Sequence, residues 1–274
     1  MCALQLGQLG GWEAQRILAQ DCHEFLGEGA HARAFAARWQ GKEVVIKVSK
    51  TDWFSLQREA DFLFRLRGLG GAPTLLAVCL MPPMLIMTRA PGRTLWQVLQ
   101  AGDVSDHFKV LCAQELSRKL CQMHEAGIIH NDIKGDNILV NKLGEYPEVT
   151  VIDFGLATLE GHSLGLVPDP VSESKAFHVA PELWRGAVST SATDRYSLGF
   201  VFEEISSSLS TPASVKAMTT LSTYLRCRDP LMRPPFPVIF HTLDKEIVPQ
   251  SQTVSILASA FQWLAQTIKN VMSR

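Results

Sequence analysis

A surplus of charge of either sign is missing from this sequence. With 26 Lys+Arg against 27 Asp+Glu the formal net charge is -1, so no global field gathers nucleic acid or an anionic membrane, and any anion must be bound locally. Paired cysteine motifs are missing too. The six cysteines (Cys2, Cys22, Cys79, Cys112, Cys121 and Cys227) contain no C-x-x-C, which argues against a zinc site or a disulfide framework and for reduced thiols in the cytoplasm, with the nucleus as a second compartment. The longest apolar run, "TLLAVCLMPPMLIM" at 74–87, is interrupted by Pro82 and Pro83 and is too short to cross a bilayer as a helix. It reads as two buried strands joined by a turn. The opening "MCALQLGQLGGWEAQR" has no basic region followed by a continuous apolar stretch, so no export signal is expected. Internal repeats and low-complexity tracts are likewise absent.

What is present suits a globular chain with a sizeable core: 274 residues, 46% hydrophobic and 19% charged, enough for one large domain or two small lobes. From Cys22 to Leu99 the pattern is mostly extended, with one helix expected in "DWFSLQREADFLFRLRGLGG", where Phe54 or Leu56, Ala60, Leu63 and Leu66 recur at helical spacing and Gly68 and Gly70 end the run. After Gly92 the character changes. Residues 106–127 repeat apolar positions at helical spacing and stop at Gly127, two short strands "ILV" and "VTVID" follow, and helical patterns then dominate. A sheet-rich N-terminal lobe joined near residues 88–92 to a helical C-terminal lobe is the expected α+β architecture.

Three stretches carry chemistry. "LGEGAHARAF" at 26–35 offers Gly27 and Gly29, whose missing side chains let backbone N–H groups approach a phosphate. Taken alone a G-x-G turn is as readily a plain hairpin, but the extended segment that follows excludes both a Rossmann and a Walker arrangement. Lys47 ends "VVIK", where Val44 and Ile46 point to one face and Val45 and Lys47 to the other. A strand lysine is most often simply solvated; here Glu59, with Asp61 as its competitor, stands on the next helix as a partner. "HNDIKGDNILV" at 130–140 and "VIDFG" at 151–155 bring Asp132, Lys134, Asn137 and Asp153 into one set. Asn137 and Asp153 carry the oxygen ligands that a hard cation such as Mg²⁺ takes, Lys134 adds charge for a transferring phosphoryl group, and Asp132 remains to orient an attacking hydroxyl.

These residues resemble the catalytic loop and D-F-G segment of eukaryotic-type protein kinases, and the resemblance covers roughly residues 22–245. It adds "APE" at 180–182, Asp194 in "DRYSLG" as a buried support for the catalytic loop, and Arg233 in "RDPLMRP" as partner of Glu182. The resemblance implies a two-lobed kinase fold: an N-terminal extension at 1–21, a kinase domain at 22–245 with a small antiparallel β-sheet lobe carrying one helix (22–87), a hinge (88–92) and a larger, mainly α-helical lobe (93–245), and a C-terminal helix at 246–274. It implies ATP and Mg²⁺, with catalytic Asp132, Lys134 and Asn137, cofactor-binding Gly27, Glu28, Gly29, Ala30, Lys47, Glu59, Met87, Thr88 and Ala90, and metal-holding Asn137 and Asp153. Met87 resembles the gatekeeper, and His130, Phe154 and Leu63 resemble stacked core residues. The implied activity is phosphoryl transfer to serine or threonine hydroxyls of a protein substrate. A small-molecule phosphotransferase and a non-catalytic nucleotide-binding module are the alternatives; "APE", Asp194 and "RDPLMRP" speak against the first and the complete Lys47, Asp132, Asn137, Asp153 set against the second.

The sequence departs from the family pattern at Asn131, where an arginine is usual, and at Ala32, where a third loop glycine is usual. Asparagine has no charge with which to grip a phosphorylated activation segment, so activity independent of such phosphorylation is expected, although Thr158, Ser163, Ser172 and Ser174 are present as hydroxyls for modification. The tail repeats Val254, Leu257, Phe261, Leu264, Ile268 and Val271 at three- and four-residue steps, a stripe that covers the C-terminal lobe or docks a partner.

Overall fold

The computed structural model describes residues 7–247 apart from Ala30 and Pro168. The N-terminal lobe comprises β1 (Gly7–Gln8), α1 (Gly11–Arg16) running into a π-helical turn (Ile17–Asp21), β2 (Cys22–Glu28), β3 (Ala32–Trp39), β4 (Lys42–Ser49), α2 (Phe54–Leu66), β5 (Leu75–Leu80) and β6 (Pro83–Thr88). The strand order is β1-β5-β6-β4-β3-β2, antiparallel throughout except for the parallel β1–β5 pair. Alternation along β4 splits the sheet into two buried faces. Val44 and Ile46 join Leu9, Ala14 and Ile17 in a core on the outer face, while Val45 and Lys47 point inward towards α2 and the cleft. Residues 7–21, the expected N-terminal extension, pack against the outer face of this lobe and cover it. A second apolar face on a sheet has to be covered by something, and short helical turns supply the cover without a strand signal.

α2 ends at Leu66, two residues before Gly68, because Arg67 already takes a left-handed conformation (φ 48°) and donates its N–H to the Leu63 carbonyl. At the hinge, Gly92 (φ 108°) passes so close to the next lobe that a β-carbon there would lie 2.2 Å from the Val140 carbonyl oxygen. Only glycine lets the two strands of chain approach this far.

The C-terminal lobe contains β7 (Arg93–Thr94), α3 (Leu95–Ala101), α4 (Asp106–Glu125), β8 (Ile128–Ile129), β9 (Ile138–Leu143), β10 (Tyr146–Val151), β11 (Thr158–Leu159), α5 (Pro170–Lys175), α6 (Ser191–Ser208), α7 (Pro212–Leu225) and α8 (Phe236–Ile247). Leu95–Leu99, the end of the stretch read as mostly extended, lies in a helix that continues to Ala101: Thr94 and Gln97 form a capping box, Oγ1 accepting from the Gln97 N–H at 3.2 Å and Oε1 from the Thr94 N–H at 3.0 Å. That T-x-x-Q signature outweighs the local pattern. The main core runs without a break from Leu63 and Met87 of the first lobe through Leu116 and Leu120 of α4 to Phe202 of α6 and Ile239 of α8. Two short antiparallel ladders of this lobe, β7-β9-β10 and β8-β11, carry the loops that matter below. Among the described residues no helix is long and apolar enough to cross a membrane. The apolar stripe from Val254 to Val271 lies outside the described residues.

Candidate active site

The loop between β2 and β3 is held from below. Gly29 donates its N–H to the Ala32 carbonyl at 2.9 Å, and Lys50 grips the turn twice, its N–H on the His31 carbonyl at 2.9 Å and its Nζ on the Gly29 carbonyl at 2.7 Å. Lys50 was not legible in the sequence, where it looks like any solvated lysine. Glu28 is paired with Arg33 at 3.3 Å and with Lys50 across the hairpin, so its side chain is engaged in the loop's own framework. Ala30, also expected here, lies outside the described residues.

Lys47 is the point where three elements meet. Its ammonium lies 2.6 Å from Glu59 of α2 and 2.9 Å from Asp153 beyond β10, and Asp61, the competing partner, faces solvent. Burial alone would lower the lysine's pKa, but the two carboxylates reverse that and hold it firmly protonated. Burial acts against ionisation of Asp153 as well, and the Lys47 charge outweighs it, keeping that carboxyl below its ordinary range. Glu59, completely enclosed and with Asp153 nearby, is pushed up. One cation thus serves two carboxylates, one enclosed and one with a side chain 44% exposed.

The loop from His130 to Asn137 is suspended from α6. Asp194, fully buried, accepts the N–H of His130 on Oδ2 at 2.8 Å and that of Asn131 on Oδ1 at 2.7 Å, and its Oδ2 also meets His124 Nε2 at 2.8 Å. Burial would raise its pKa; the hydrogen bonds, led by His124, hold it low. His130 packs edge-on against Phe154 with ring centroids 4.8 Å apart, and both are buried beside Ile133 and Ala157. Asn131 and Asp153 both adopt left-handed backbone (φ 65° and 68°), which asparagine and aspartate tolerate better than most residues.

Asn131 is enclosed, and every polar atom of its side chain has a neutral partner: Nδ2 donates to the Leu156 carbonyl and to Thr158 Oγ1, both at 3.0 Å, and Oδ1 accepts from Thr193 Oγ1 at 3.2 Å. Thr158 is itself buried, which removes it from the accessible hydroxyls expected in the segment. Ser163, Ser172 and Ser174 are exposed, the last two donating to Asp169 Oδ2 and the Val171 carbonyl.

Asp132 receives Lys134 on both oxygens (3.1 and 2.8 Å), Asn137 Nδ2 on Oδ2 at 2.8 Å and His178 Nε2 on Oδ1 at 2.7 Å. Burial opposes its ionisation, yet these partners, His178 foremost, hold its pKa at about 2. His178 went unnoticed in the sequence because nothing near "FHV" marks it; its contact spans 46 positions. Asn137 also donates to the Asp132 carbonyl at 2.8 Å, so both amide protons are committed to Asp132 and Oδ1 is left to take a cation. Asp153 places Lys47 on Oδ1, and its Oδ2 receives no hydrogen bond among the described residues. Two such oxygens suit a divalent metal ion.

At the hinge, Met87 is buried and Thr88 is tied to Thr74, with its N–H on the Thr74 carbonyl at 3.0 Å and its Oγ1 accepting the Thr74 N–H at 2.9 Å. The Thr88 N–H is thereby committed within the lobe. Ala90 makes no hydrogen bond among the described residues, so its main-chain groups stay available. Farther out, Arg233 is enclosed and holds Glu182 in a fork, Nη1 to Oε1 at 2.5 Å and Nη2 to Oε2 at 2.8 Å, a bidentate geometry that only arginine provides.

Two lobes clasped by one lysine, above a carboxylate loop with two open oxygens, define a kinase-type phosphotransferase scaffold. Residues 21–227 match the protein kinase domain model, and the chain belongs to the protein kinase family. It is 28% identical over 229 residues to a protein named probable serine/threonine-protein kinase from Dictyostelium discoideum, covering 77% of this chain and 23% of that protein. A protein of the same description from Corynebacterium efficiens is 29% identical, covering 66% of this chain and 29% of that protein. Mouse mitogen-activated protein kinase kinase kinase 10 is also 29% identical, covering 66% and 21%. The chain thus spans less than a third of the length of each of these relatives.

Proposed function

We propose that this protein is an ATP-dependent kinase that transfers the γ-phosphoryl group to serine or threonine hydroxyls of a protein substrate. The observation that carries the reading is Lys47 bridging Glu59 and Asp153, with Asp153 near enough to Asp132 for their charges to interact, which supports a phosphate-binding and an acceptor-binding half in one site. In this reading Glu59 aims Lys47 at the nucleotide phosphates, the glycine turn at Gly27 and Gly29 lies over them, and Met87, Thr88 and Ala90 face the adenine.

Asn137 Oδ1 and Asp153 Oδ2 would hold Mg²⁺, which when bound neutralises charge on the triphosphate. Asp132 orients the acceptor hydroxyl through its carboxylate. A carboxyl with a pKa of about 2 is a feeble base, so its main work is placement of the oxygen that forms the new P–O bond as the bond to the ADP oxygen breaks, and it receives the hydroxyl proton only late, once the P–O bond has made that proton acidic. Lys134 turns its charge to the moving phosphoryl group. The Glu182–Arg233 fork supports a platform for a peptide over one for a small molecule.

Asn131 supports activity without phosphorylation of the activation segment: it joins the catalytic loop to Leu156, Thr158 and Thr193 by neutral bonds, the place where a charged grip would otherwise be needed. A cytoplasmic setting belongs to the same proposal. The test is a peptide array with ATP and Mg²⁺, run beside Asp153→Ala as the blank and repeated after phosphatase treatment. Serine- or threonine-directed labelling well above the blank and unchanged by phosphatase supports the reading, and labelling equal to the blank defeats it.

A further inference from the structure

Asp132 can steer a hydroxyl only if its carboxylate keeps one orientation, and the torsion that turns a carboxylate is broad and weakly restrained. Lys134 bridges both oxygens in this structure, but on the reading above it turns towards the phosphoryl group during reaction. Asn137 then holds Oδ2 alone. The remaining donor is His178 on Oδ1 at 2.7 Å, with a side chain only 11% exposed.

The arrangement behind His178 is built into the fold. Ser197 Oγ of α6 donates to the His178 carbonyl at 2.7 Å, and Val179 and Ala180 after it are buried. On the same helix, Asp194 holds the catalytic loop by the N–H groups of His130 and Asn131, and Thr193 holds the Asn131 amide. Positions 193, 194 and 197 of one helix therefore anchor both the loop that bears Asp132 and the segment that bears His178. The imidazole contact closes a ring of interactions running from loop to helix to segment and back to the loop.

We propose that His178 is a positioning residue for the phosphoryl transfer: by holding Oδ1 of Asp132 from the activation segment, it keeps the carboxylate aimed at the acceptor while Lys134 is engaged elsewhere. This makes the placement of the activation segment a condition for a correctly oriented Asp132, with no phosphate required. The proposal rests on the kinase reading of the same site.

The experiment measures kcat and KM for an acceptor peptide bearing a free serine or threonine hydroxyl and for ATP in the unaltered protein, His178→Ala, His178→Gln and Asp132→Asn, with melting temperatures alongside. A hydrogen bond to a charged group predicts a kcat about 10- to 100-fold lower in His178→Ala, with ATP KM unchanged. Gln places an amide nitrogen near the Nε2 position and restores most of the kcat, which a purely structural role would not require. A His178→Ala kcat within about two-fold of the unaltered protein, a kcat that rises, or a Gln variant as impaired as Ala at equal melting temperature overturns the proposal. If His178→Ala does not fold, Gln against His178→Asn decides it, since the shorter amide falls short of Oδ1 and should lose the kcat that Gln retains. Transfer that is indifferent to His178 defeats this proposal alone, whereas no transfer by the unaltered protein defeats the kinase reading together with it.

Discussion

Asp194 and Asp153 bear the same side chain and stand on opposite sides of the catalytic loop, in opposite circumstances. Asp194 is sealed in the helical lobe and spends both oxygens on protein donors, the N–H groups of His130 and Asn131 and the ring of His124. Asp153 is open to the cleft, holds Lys47 with one oxygen and keeps the other unclaimed. The first is a finished structural joint, since a buried carboxylate is tolerable only when its hydrogen-bonding capacity is used up. The second is unfinished by design of its surroundings, and an unfinished carboxylate beside a cation is where a ligand has something to gain. Asp132 lies between these extremes, enclosed like Asp194 but held by side chains that have other work to do.

That contrast can be broken most severely at the working carboxylates. Asp132→Asn should lower kcat by about 10²- to 10⁴-fold and Asp153→Ala should leave transfer at background, while each remains folded and loses only a few degrees of melting temperature; steady-state kinetics beside calorimetry checks both.

Asp194→Ala should do the reverse first. It leaves two enclosed N–H groups and His124 without their acceptor and should cost about 3 kcal/mol or more of unfolding free energy, read by urea denaturation. Similar stability for the Asp194 and Asp153 variants would erase the distinction drawn here.

Acid separates the two kinds of carboxylate more gently. Asp132 has a folded pKa of about 2 against roughly 4 in an unfolded chain, so its contribution is present above pH ~4 and is lost as pH falls towards 2, on the order of 2 kcal/mol. Unfolding free energies at pH 5 and pH 3 should therefore differ less in Asp132→Asn than in the unaltered protein, and the Asp194 contribution, shifted in the same direction, should persist in that variant.

The smallest effect is expected at the glycine turn, where Lys50→Met removes the ammonium's hydrogen bond to the Gly29 carbonyl together with its ion pair to Glu28 and should raise the ATP KM by about 5-fold with little change in kcat.

Much of this site was legible in the chain. Lys47, Asp132, Asn137 and Asp153 announced themselves because phosphate and metal chemistry demands particular side chains next to a strand end or a tight turn. Glu59 was favoured over Asp61 because helical spacing ties it to Leu63, and the helix buries that face. The strands at 75–80 and 83–88 followed from the break at Pro82 and Pro83, the second of which opens the later strand. Less was visible where one residue stands for another across space. The 7–21 cover of the sheet has no strand-like pattern, Leu95–Ala101 was masked by its extended-looking neighbours, and Lys50 and His178 have nothing local to set them apart.

The sequence by itself determined the two-lobed class and pointed to the candidate reacting groups, because apolar periodicity and the chemistry of phosphate, cation and hydroxyl each leave short-range signatures. Only the tertiary structure decided which partners orient those groups: His178 on Asp132, His124 on Asp194, Asn131 among Leu156, Thr158 and Thr193. Hydrogen bonds form between whatever groups packing brings within about 3 Å, and the packing of α6 against the two loops is a property of the whole core, which no window of neighbouring residues contains.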